Sequence, residues 1–166
     1  MKKIAIFAAA SAAVLSVPAL AAPGNQSTAD GAATAEVVAP LTLTHDAGAT
    51  LNFGTFVPGT VGGSVTVSRA GNGTAGGDVT LMPGSVEAAD SFSVAGDAGR
   101  RFSIVTGAGT VSSGSNSMAF TTDARANHTL DSSGAASFNV GGTLTVGANQ
   151  PAGVYTGSYS VTVTYN

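Results

Sequence analysis

The sequence predicts an all-β protein, and three features carry this prediction. Apolar residues recur with period two in short runs, which is the pattern of half-buried strands. Gly, Asn, Asp and Pro separate the runs and mark turns. No segment has the spacing of a long amphipathic helix. Many short strands at this spacing are typical of a β-sandwich or a barrel.

Each expected strand is an apolar run that ends at a turn signal. Glycine pairs such as Gly62-Gly63 and Gly141-Gly142 are interpreted as turns, as is Pro58-Gly59. No internal repeat and no second domain is evident. The expected strands are Leu41–Thr44, Leu51–Phe56, Ser64–Ser68, Val79–Met82, Phe92–Ala95, Arg101–Thr106, Met118–Thr121, Phe138–Val140, Thr143–Val146 and Gly157–Tyr165.

The N-terminus, residues 1–21, has the order of parts found in a secretory signal peptide. Lys2 and Lys3 precede an apolar run, Ile4–Val17, which small residues follow. We expect cleavage after Ala21, with Ala22 as the next-best site. A transmembrane anchor is the alternative, but a span needs roughly 20 apolar residues and this run is shorter. The protein is therefore expected to be exported, to pass through the periplasm, and to reach the cell surface or the medium without a membrane span.

The composition of the mature chain limits its partners and its chemistry. After cleavage, four arginines face nine acidic residues, which gives a net charge of −5. Nucleic acid is not an expected partner, because phosphate binding needs clustered cations. Cysteine is absent, so packing and strand pairing must stabilise the domain without disulfides.

No constellation of residues predicts an enzyme, a cofactor site or a metal site. The two histidines, His45 and His128, are expected in solvated loops. Acidic residues are scattered singly, and neither metal-ligand spacing nor a Gly-x-Ser-x-Gly nucleophile motif is present. The expectation is a non-enzymatic domain that holds no cofactor.

Residues 22–40 form a separate stretch between the signal peptide and the expected domain, residues 41–166. The stretch begins with a polar sequence typical of disorder and then becomes strand-competent. Four small apolar residues would share one face of that strand: Ala33, Ala35, Val37 and Ala39.

The C-terminus has the cleanest alternation in the chain. Tyr159, Val161, Val163 and Tyr165 fall on one face, and serine and threonine fall on the other. An exposed edge strand of this kind would promote aggregation. It is either a central strand of a complete sandwich, or an edge left open for a strand from another chain. Residues 33–39 would be a suitable donor.

Four motifs of the expected domain stand out: Leu51-Asn52-Phe53-Gly54-Thr55-Phe56, Gly63-Ser64-Val65-Thr66-Val67, Phe138-Asn139-Val140-Gly141-Gly142-Thr143-Leu144 and the run from Gly153 to Tyr165. Together they resemble the DUF4402 family, exported bacterial proteins related to spore coat U domains and chaperone–usher pilins. The resemblance covers roughly residues 41–166, and the C-terminal Gly-x-Tyr-x-Gly-x-Tyr run is its most specific part.

This resemblance implies an immunoglobulin-like β-sandwich that lacks its last strand. In such pilins a periplasmic chaperone lends a strand beside the C-terminal one, and an outer-membrane usher exchanges it for the N-terminal extension of the next subunit. Tyr159, Val161, Val163 and Tyr165 would then form the acceptor edge. The chain departs from the best-known pilins in having no disulfide and small donor side chains. The leading expectation is a subunit of a homopolymeric fibre or pilus; the alternative is a monomeric secreted domain that binds a ligand such as carbohydrate.

Overall fold

The computed structural model describes Gly24 and residues 26–166, and all of the regular structure in this part of the chain is β-strand. The all-β prediction is confirmed, and the arrangement is consistent with an immunoglobulin-like β-sandwich. The strands are β1 (Thr42–His45), β2 (Phe56–Val67), β3 (Gly73–Leu81), β4 (Asp90–Ala95), β5 (Arg101–Thr106), β6 (Gly109–Ser113), β7 (Asn116–Asp123), β8 (Asn127–Thr129), β9 (Ala135–Val146), β10 (Thr156–Ser158) and β11 (Val161–Tyr165).

The strands form one large sheet and one small sheet, and every pairing is antiparallel. The large sheet has the order β1-β4-β9-β7-β6-β10, and β2 joins it by pairing with both β9 and β3. The small sheet has the order β11-β5-β8. The last two strands of the chain therefore belong to different sheets.

The core consists of two apolar clusters, and β9 contributes to both of them. One cluster contains Phe120 and Leu144, and the other contains Phe102 and Phe138. Inward residues of β9 alternate with outward ones, so its two halves bury side chains in successive parts of the core. Tyr159 packs against both clusters and so lies where they meet.

The prediction of a strand over Leu51–Phe56 is wrong for all but its last residue. Asn52 forms a single bridge with Ala88, and Gly54 has a φ of 74°, which interrupts an extended strand. The Asn52 side chain accepts a hydrogen bond from the Gly54 amide at 2.9 Å and donates one to the Val86 carbonyl at 2.9 Å. This irregular segment nevertheless buries Phe53 in the core.

Three of the predicted turns lie inside strands. Gly141-Gly142 continues β9, because the neighbouring backbones approach too closely for a side chain: a Cβ at Gly142 would lie 2.5 Å from the Thr121 carbonyl oxygen. Pro58-Gly59 and Gly62-Gly63 form an irregularity within β2. The Asp78 carboxylate holds this irregularity by accepting hydrogen bonds from the amides of Thr60 and Val61, at 2.7 and 3.1 Å.

The residues before β1 form no strand. Residues 26–40 are exposed, and no strand includes any residue from 26 to 41. Ala21 and Ala22, where cleavage is expected, lie outside the described residues. No helix in the described part of the chain has the length and apolar character needed to cross a membrane.

Candidate functional site

An apolar groove lies beside the C-terminal strands and has a volume of about 1240 Å³. Two stretches of the chain, within residues 43–58 and 150–161, contribute most of its lining. Buried core side chains also line it, namely Phe53, Phe92, Met118, Phe120 and Leu144. The groove thus lies directly against part of the hydrophobic core.

One edge of β11 has no strand beside it. Val161–Tyr165 pair with Thr106–Phe102 of β5, and within residues 26–166 no strand pairs with the opposite edge. Val161, Val163 and Tyr165 are partly buried and pack against the core, while Thr162 and Thr164 are exposed. The strand therefore combines a core-facing apolar row with an unpaired row of backbone donors and acceptors.

Val161 is the one residue of β11 that lines the groove, and a tyrosine clasp lies at the other end of this strand. The Tyr165 hydroxyl accepts a hydrogen bond from the Asp97 amide at 2.7 Å and donates one to the Ala39 carbonyl at 3.1 Å. Leu41 and Tyr165 both pack against the core cluster that contains Phe102 and Phe138. The clasp fixes the point at which the N-terminal stretch joins the folded domain.

Tyr159 marks the point at which the chain changes from one sheet to the other. It lies between β10, which pairs with β6, and β11, which pairs with β5. Its ring packs edge-on against Phe92 and Phe120, with centroid distances of 6.4 and 6.0 Å. Its hydroxyl donates a hydrogen bond to Asp90 at 2.7 Å. Burial, and then the bond to the Asp90 carboxylate, raises the pKa of Tyr159 above its ordinary value of 10.0.

Asp90 is a buried carboxylate at the groove, and only 4% of its surface is exposed. One of its oxygens, Oδ1, lies 2.7 Å from His45 Nε2 and accepts a hydrogen bond from the Ser91 amide at 2.9 Å. The other, Oδ2, accepts the Tyr159 hydroxyl. These partners compensate the desolvation of a buried carboxylate. They also join β1, β4 and the C-terminal segment, which all line the groove.

Both histidines lie in strands and not in the expected loops, although the side chain of His45 is 50% exposed to solvent as expected. His45 ends β1, bonds to the buried Asp90, and packs its ring against Phe92 at a centroid distance of 5.0 Å. His128 lies in β8, where its ring stacks on Phe102 at 5.9 Å. Across the described residues, no group of three or more acidic or histidine side chains is arranged to hold a metal ion.

The rim of the groove carries exposed apolar side chains. Val154 is 84% exposed and Val57 is 51% exposed. The Tyr155 hydroxyl fastens the loop that bears Val154, because it accepts a hydrogen bond from Gln150 at 2.9 Å and donates one to the Pro151 carbonyl at 2.7 Å. The apolar surface at this site therefore extends beyond the groove itself.

Strand pairing explains why the second glycine of the C-terminal motif, Gly157, is a glycine. A Cβ at Gly157 would overlap the carbonyl oxygen of Thr110, so only glycine allows β10 to pair with β6 at this point. The C-terminal motif thus includes Gly157, which allows β10 to pair with β6, and Tyr159, which lies two residues later.

Sequence reasoning identified the C-terminal side of the site and missed its polar centre. Tyr159 and Val161 line the groove, whereas Val163 and Tyr165 belong to the part of β11 beyond it. The expected donor residues are all exposed and in no strand: Ala33, Ala35, Val37 and Ala39. Asp90 was not singled out, although it holds an inward position in the alternation it shares with Phe92 and Val94.

A comparison with protein-family models identifies the chain by its domain. The model for the domain of unknown function DUF4402 matches residues 41–165. This chain belongs to the DUF4402 family. The DUF4402 match spans all eleven strands and the whole lining of the groove. No curated protein and no solved structure matches the sequence.

Proposed function

We propose that this DUF4402 protein is a structural subunit of a bacterial surface fibre or pilus that assembles by donor-strand complementation. In this proposal the groove accepts the extended N-terminal segment of another copy of the chain. The observation that carries the proposal is the apolar groove bordered by a C-terminal strand with one unpaired edge.

An incoming strand would satisfy two requirements of this site at once. Where the groove meets β11 at Val161 and beyond that point, its backbone would pair with the unpaired donors and acceptors of that strand. Its side chains would cover exposed apolar residues of the lining such as Val57 and Val154, and each Å² of apolar area buried contributes roughly 25 cal/mol. An extended segment serves both needs, because alternate side chains of a strand point to one face.

The expected donor is a short segment with small side chains. The seven residues 33–39 span about 23 Å when extended. Their inward face would consist of Ala and Val only, and large side chains such as Phe120 and Tyr159 already occupy the floor. Small donor residues against a bulky floor give complementary packing, so the small side chains do not argue against strand capture.

A contact between the N-terminal stretch of one copy and the groove of another favours an open chain of subunits. Ala39 bonds to Tyr165 within the domain, and neither residue is part of the groove lining. A donor segment at one place and an acceptor groove at another make a head-to-tail contact. Contacts of this type form filaments unless the rotation between subunits closes a ring.

The proposal includes export and helper proteins. The mature chain would reach the periplasm, where a chaperone strand would fill the groove and prevent aggregation through the open edge. An outer-membrane usher would then replace that strand with the donor segment of the next subunit. The finished polymer would lie at the cell surface.

Deleting residues 22–40 tests the proposal. The mature chain, residues 22–166, should form oligomers that survive detergent at room temperature and dissociate on boiling. The deletion variant should form no such heat-sensitive, detergent-resistant oligomers, and an added peptide of residues 26–40 should bind to it. A matched control replaces Ala33, Ala35 and Val37 with aspartate, which keeps the length of the segment and removes its apolar face.

The alternative function predicts different results. A monomeric ligand-binding domain would run as a monomer with and without residues 22–40, and it would not bind the peptide. That outcome would refute the fibre proposal.

A further inference from the structure

We propose that residues 51–53 form a second pairing edge of the groove, so that a captured strand is hydrogen-bonded on both of its sides, and that the Asn52 side chain positions this edge. The occupant is again residues 33–39 of another copy, so this inference rests on the proposed function. The observation behind it is a stretch of chain that lines the groove and bonds to its neighbour on the side away from the groove.

The pairing of Asn52 shows on which side of this stretch the groove lies. Asn52 pairs with Ala88, and each amide donates a hydrogen bond to the other residue's carbonyl, at 2.9 and 3.0 Å. Every residue from Thr50 to Pro58 lines the groove, whereas no residue from 82 to 88 does so. The groove therefore lies on the side of Asn52 that faces away from Ala88.

The residues on either side of Asn52 carry unpaired backbone groups. Within the described part of the chain, no hydrogen bond joins the amide or the carbonyl of Leu51 or Phe53 to another residue. In an antiparallel pair, successive residues direct their backbone groups to opposite edges. Because those of Asn52 point to Ala88, those of Leu51 and Phe53 point toward the groove. Phe53 is buried, and backbone groups in such a place need partners, which a further strand would supply.

The Asn52 side chain fixes this edge without using its free groups. Its Oδ1 accepts a hydrogen bond from the Gly54 amide at 2.9 Å, and its Nδ2 donates one to the Val86 carbonyl at 2.9 Å. The φ of 74° at Gly54 ends the extended stretch directly after Phe53. The side chain thus attaches the edge to the neighbouring loop, and the groups of Leu51 and Phe53 stay available.

β10 provides the other edge within the groove. All of Thr156–Ser158 lines the groove. Among the described strands β10 pairs with β6 alone and ends the large sheet, so its second edge is open. Residues 51–53 and β10 are thus two open edges that line one groove and do not pair with each other.

One aromatic ring relates the two edges in space. The rings of Phe53 and Tyr159, which directly follows β10, both pack against Phe120. Their centroids lie 5.7 and 6.0 Å from that of Phe120, and so within about 12 Å of each other. Two strands that share a central neighbour lie roughly 10 Å apart, which is twice the strand spacing. The rings at the two edges are thus separated by a distance of the scale that one intervening strand requires.

Peptides methylated at chosen backbone amides test the second edge. The receptor is the full mature chain with the three aspartate substitutions described above, so that its own extension does not compete. Fluorescence anisotropy compares a labelled peptide of residues 26–40 with two methylated forms. One form is methylated at the amides of Thr34 and Glu36, and the other at those of Ala35 and Val37. Since successive amides of a strand point to opposite sides, each form loses hydrogen bonds on one side only.

Pairing on both sides predicts that both methylated peptides bind weakly. The Kd of each should be about tenfold higher than that of the unmethylated peptide, because each leaves acceptors of one edge without a donor. If only one form binds weakly, or neither does, the second edge is overturned while the groove still captures the peptide. If the unmethylated peptide fails to bind, the proposed function is overturned as well.

Asn52→Ala tests the positioning role, and Asn139→Ala is the matched control. In Asn52→Ala the edge is no longer held. One methylated form should then bind within about twofold of the unmethylated peptide, because its bonds are already lost, while the other stays about tenfold weaker. Asn139 also donates to a backbone carbonyl, that of Arg69 at 3.1 Å, but lies outside the groove lining. With Asn139→Ala both forms should remain weak.

The outcome for Asn52 is separate from that for the edge. If both methylated forms bind as weakly to Asn52→Ala as to the control, the assignment to Asn52 is overturned. Circular dichroism checks that both variants are folded. If Asn52→Ala does not fold, the comparison of the methylated peptides on the receptor with native Asn52 still decides whether the second edge exists.

Discussion

The substitution Tyr159→Phe removes one hydroxyl group. It tests the polar centre of the groove, which is Asp90 with its hydrogen bonds, independently of the apolar lining. The ring remains, and with it the edge-on contacts to Phe92 and Phe120. The substitution deletes only the hydrogen bond of 2.7 Å to Asp90. Because Asp90 is buried, no free water replaces the lost donor at low cost.

The expected magnitude follows from the charge and burial of the acceptor. A hydrogen bond to a charged group contributes roughly 1.5–3 kcal/mol, and Asp90 keeps its bonds to His45 and the Ser91 amide. We therefore expect Tyr159→Phe to lower the free energy of unfolding by about 2 kcal/mol. With an m-value of about 2 kcal/mol/M in urea, the midpoint should fall by roughly 1 M.

Urea unfolding followed by circular dichroism measures this change, and Tyr155→Phe is the matched control. The Tyr155 hydroxyl bonds to the neutral Gln150 and to the Pro151 carbonyl at the rim. Its loss should cost about 0.5–1 kcal/mol, the usual contribution of a neutral hydrogen bond. If the two variants unfold at the same urea concentration, the Tyr159–Asp90 hydrogen bond contributes no more to stability than a neutral one. The role described for the polar centre would then be wrong.

Three further changes test other parts of the structure. Leu130→Ala leaves a cavity beneath a side chain that is 1% exposed, and should lower the free energy of unfolding by about 3 kcal/mol in thermal denaturation. Gly157→Val cannot fit against Thr110, so hydrogen exchange in β6 should accelerate while the amides of β5 keep their protection. Since the pKa of Tyr159 is raised in the folded state, its contribution to stability is full below about pH 10 and is lost as the pH rises further. Alkaline denaturation should therefore be steeper in the unaltered protein than in Tyr159→Phe.

The strands that could be predicted from the sequence are those with large apolar residues at every second position. Arg101–Thr106 is an example, and its bounds agree with β5 because Phe102 and Ile104 alternate with polar residues. The same alternation located β4 and the core of β7. In these strands local pattern and tertiary packing favour the same structure.

The strands that could not be predicted depend on their neighbours. β6 and β8 are short and rich in polar residues, and they form because adjacent strands supply hydrogen bonds. The Gly141-Gly142 pair favours a turn by local propensity, but tertiary contacts on both sides require glycine within a strand. The single C-terminal strand expected from the alternation divides at Tyr159, since its two parts join different sheets.

The sequence predicted site residues that form a local pattern in the chain, but not the contacts between residues that are distant in sequence. The alternation of Tyr159 and Val161 is visible in sequence, and these residues do line the groove. Asp90 is separated from His45 by 45 residues and from Tyr159 by 69, so only the fold reveals the network. An acidic residue at an inward position of a strand pattern was the one available signal, because a buried carboxylate requires partners.

The central claim is that this groove accepts residues 33–39 of another copy, and cysteine cross-linking measures it most directly. The chain contains no cysteine, so each introduced pair is unambiguous. One copy carries Val37→Cys, and a second copy carries a cysteine at one of three groove positions, Val57, Val154 or Val161. Oxidation forms a disulfide only where the Cα atoms come within about 7 Å. The account predicts that at least one groove position gives an intermolecular disulfide in high yield, while Ser112→Cys, on the exposed face of β6, gives none. Equal yields at all four positions would contradict the account.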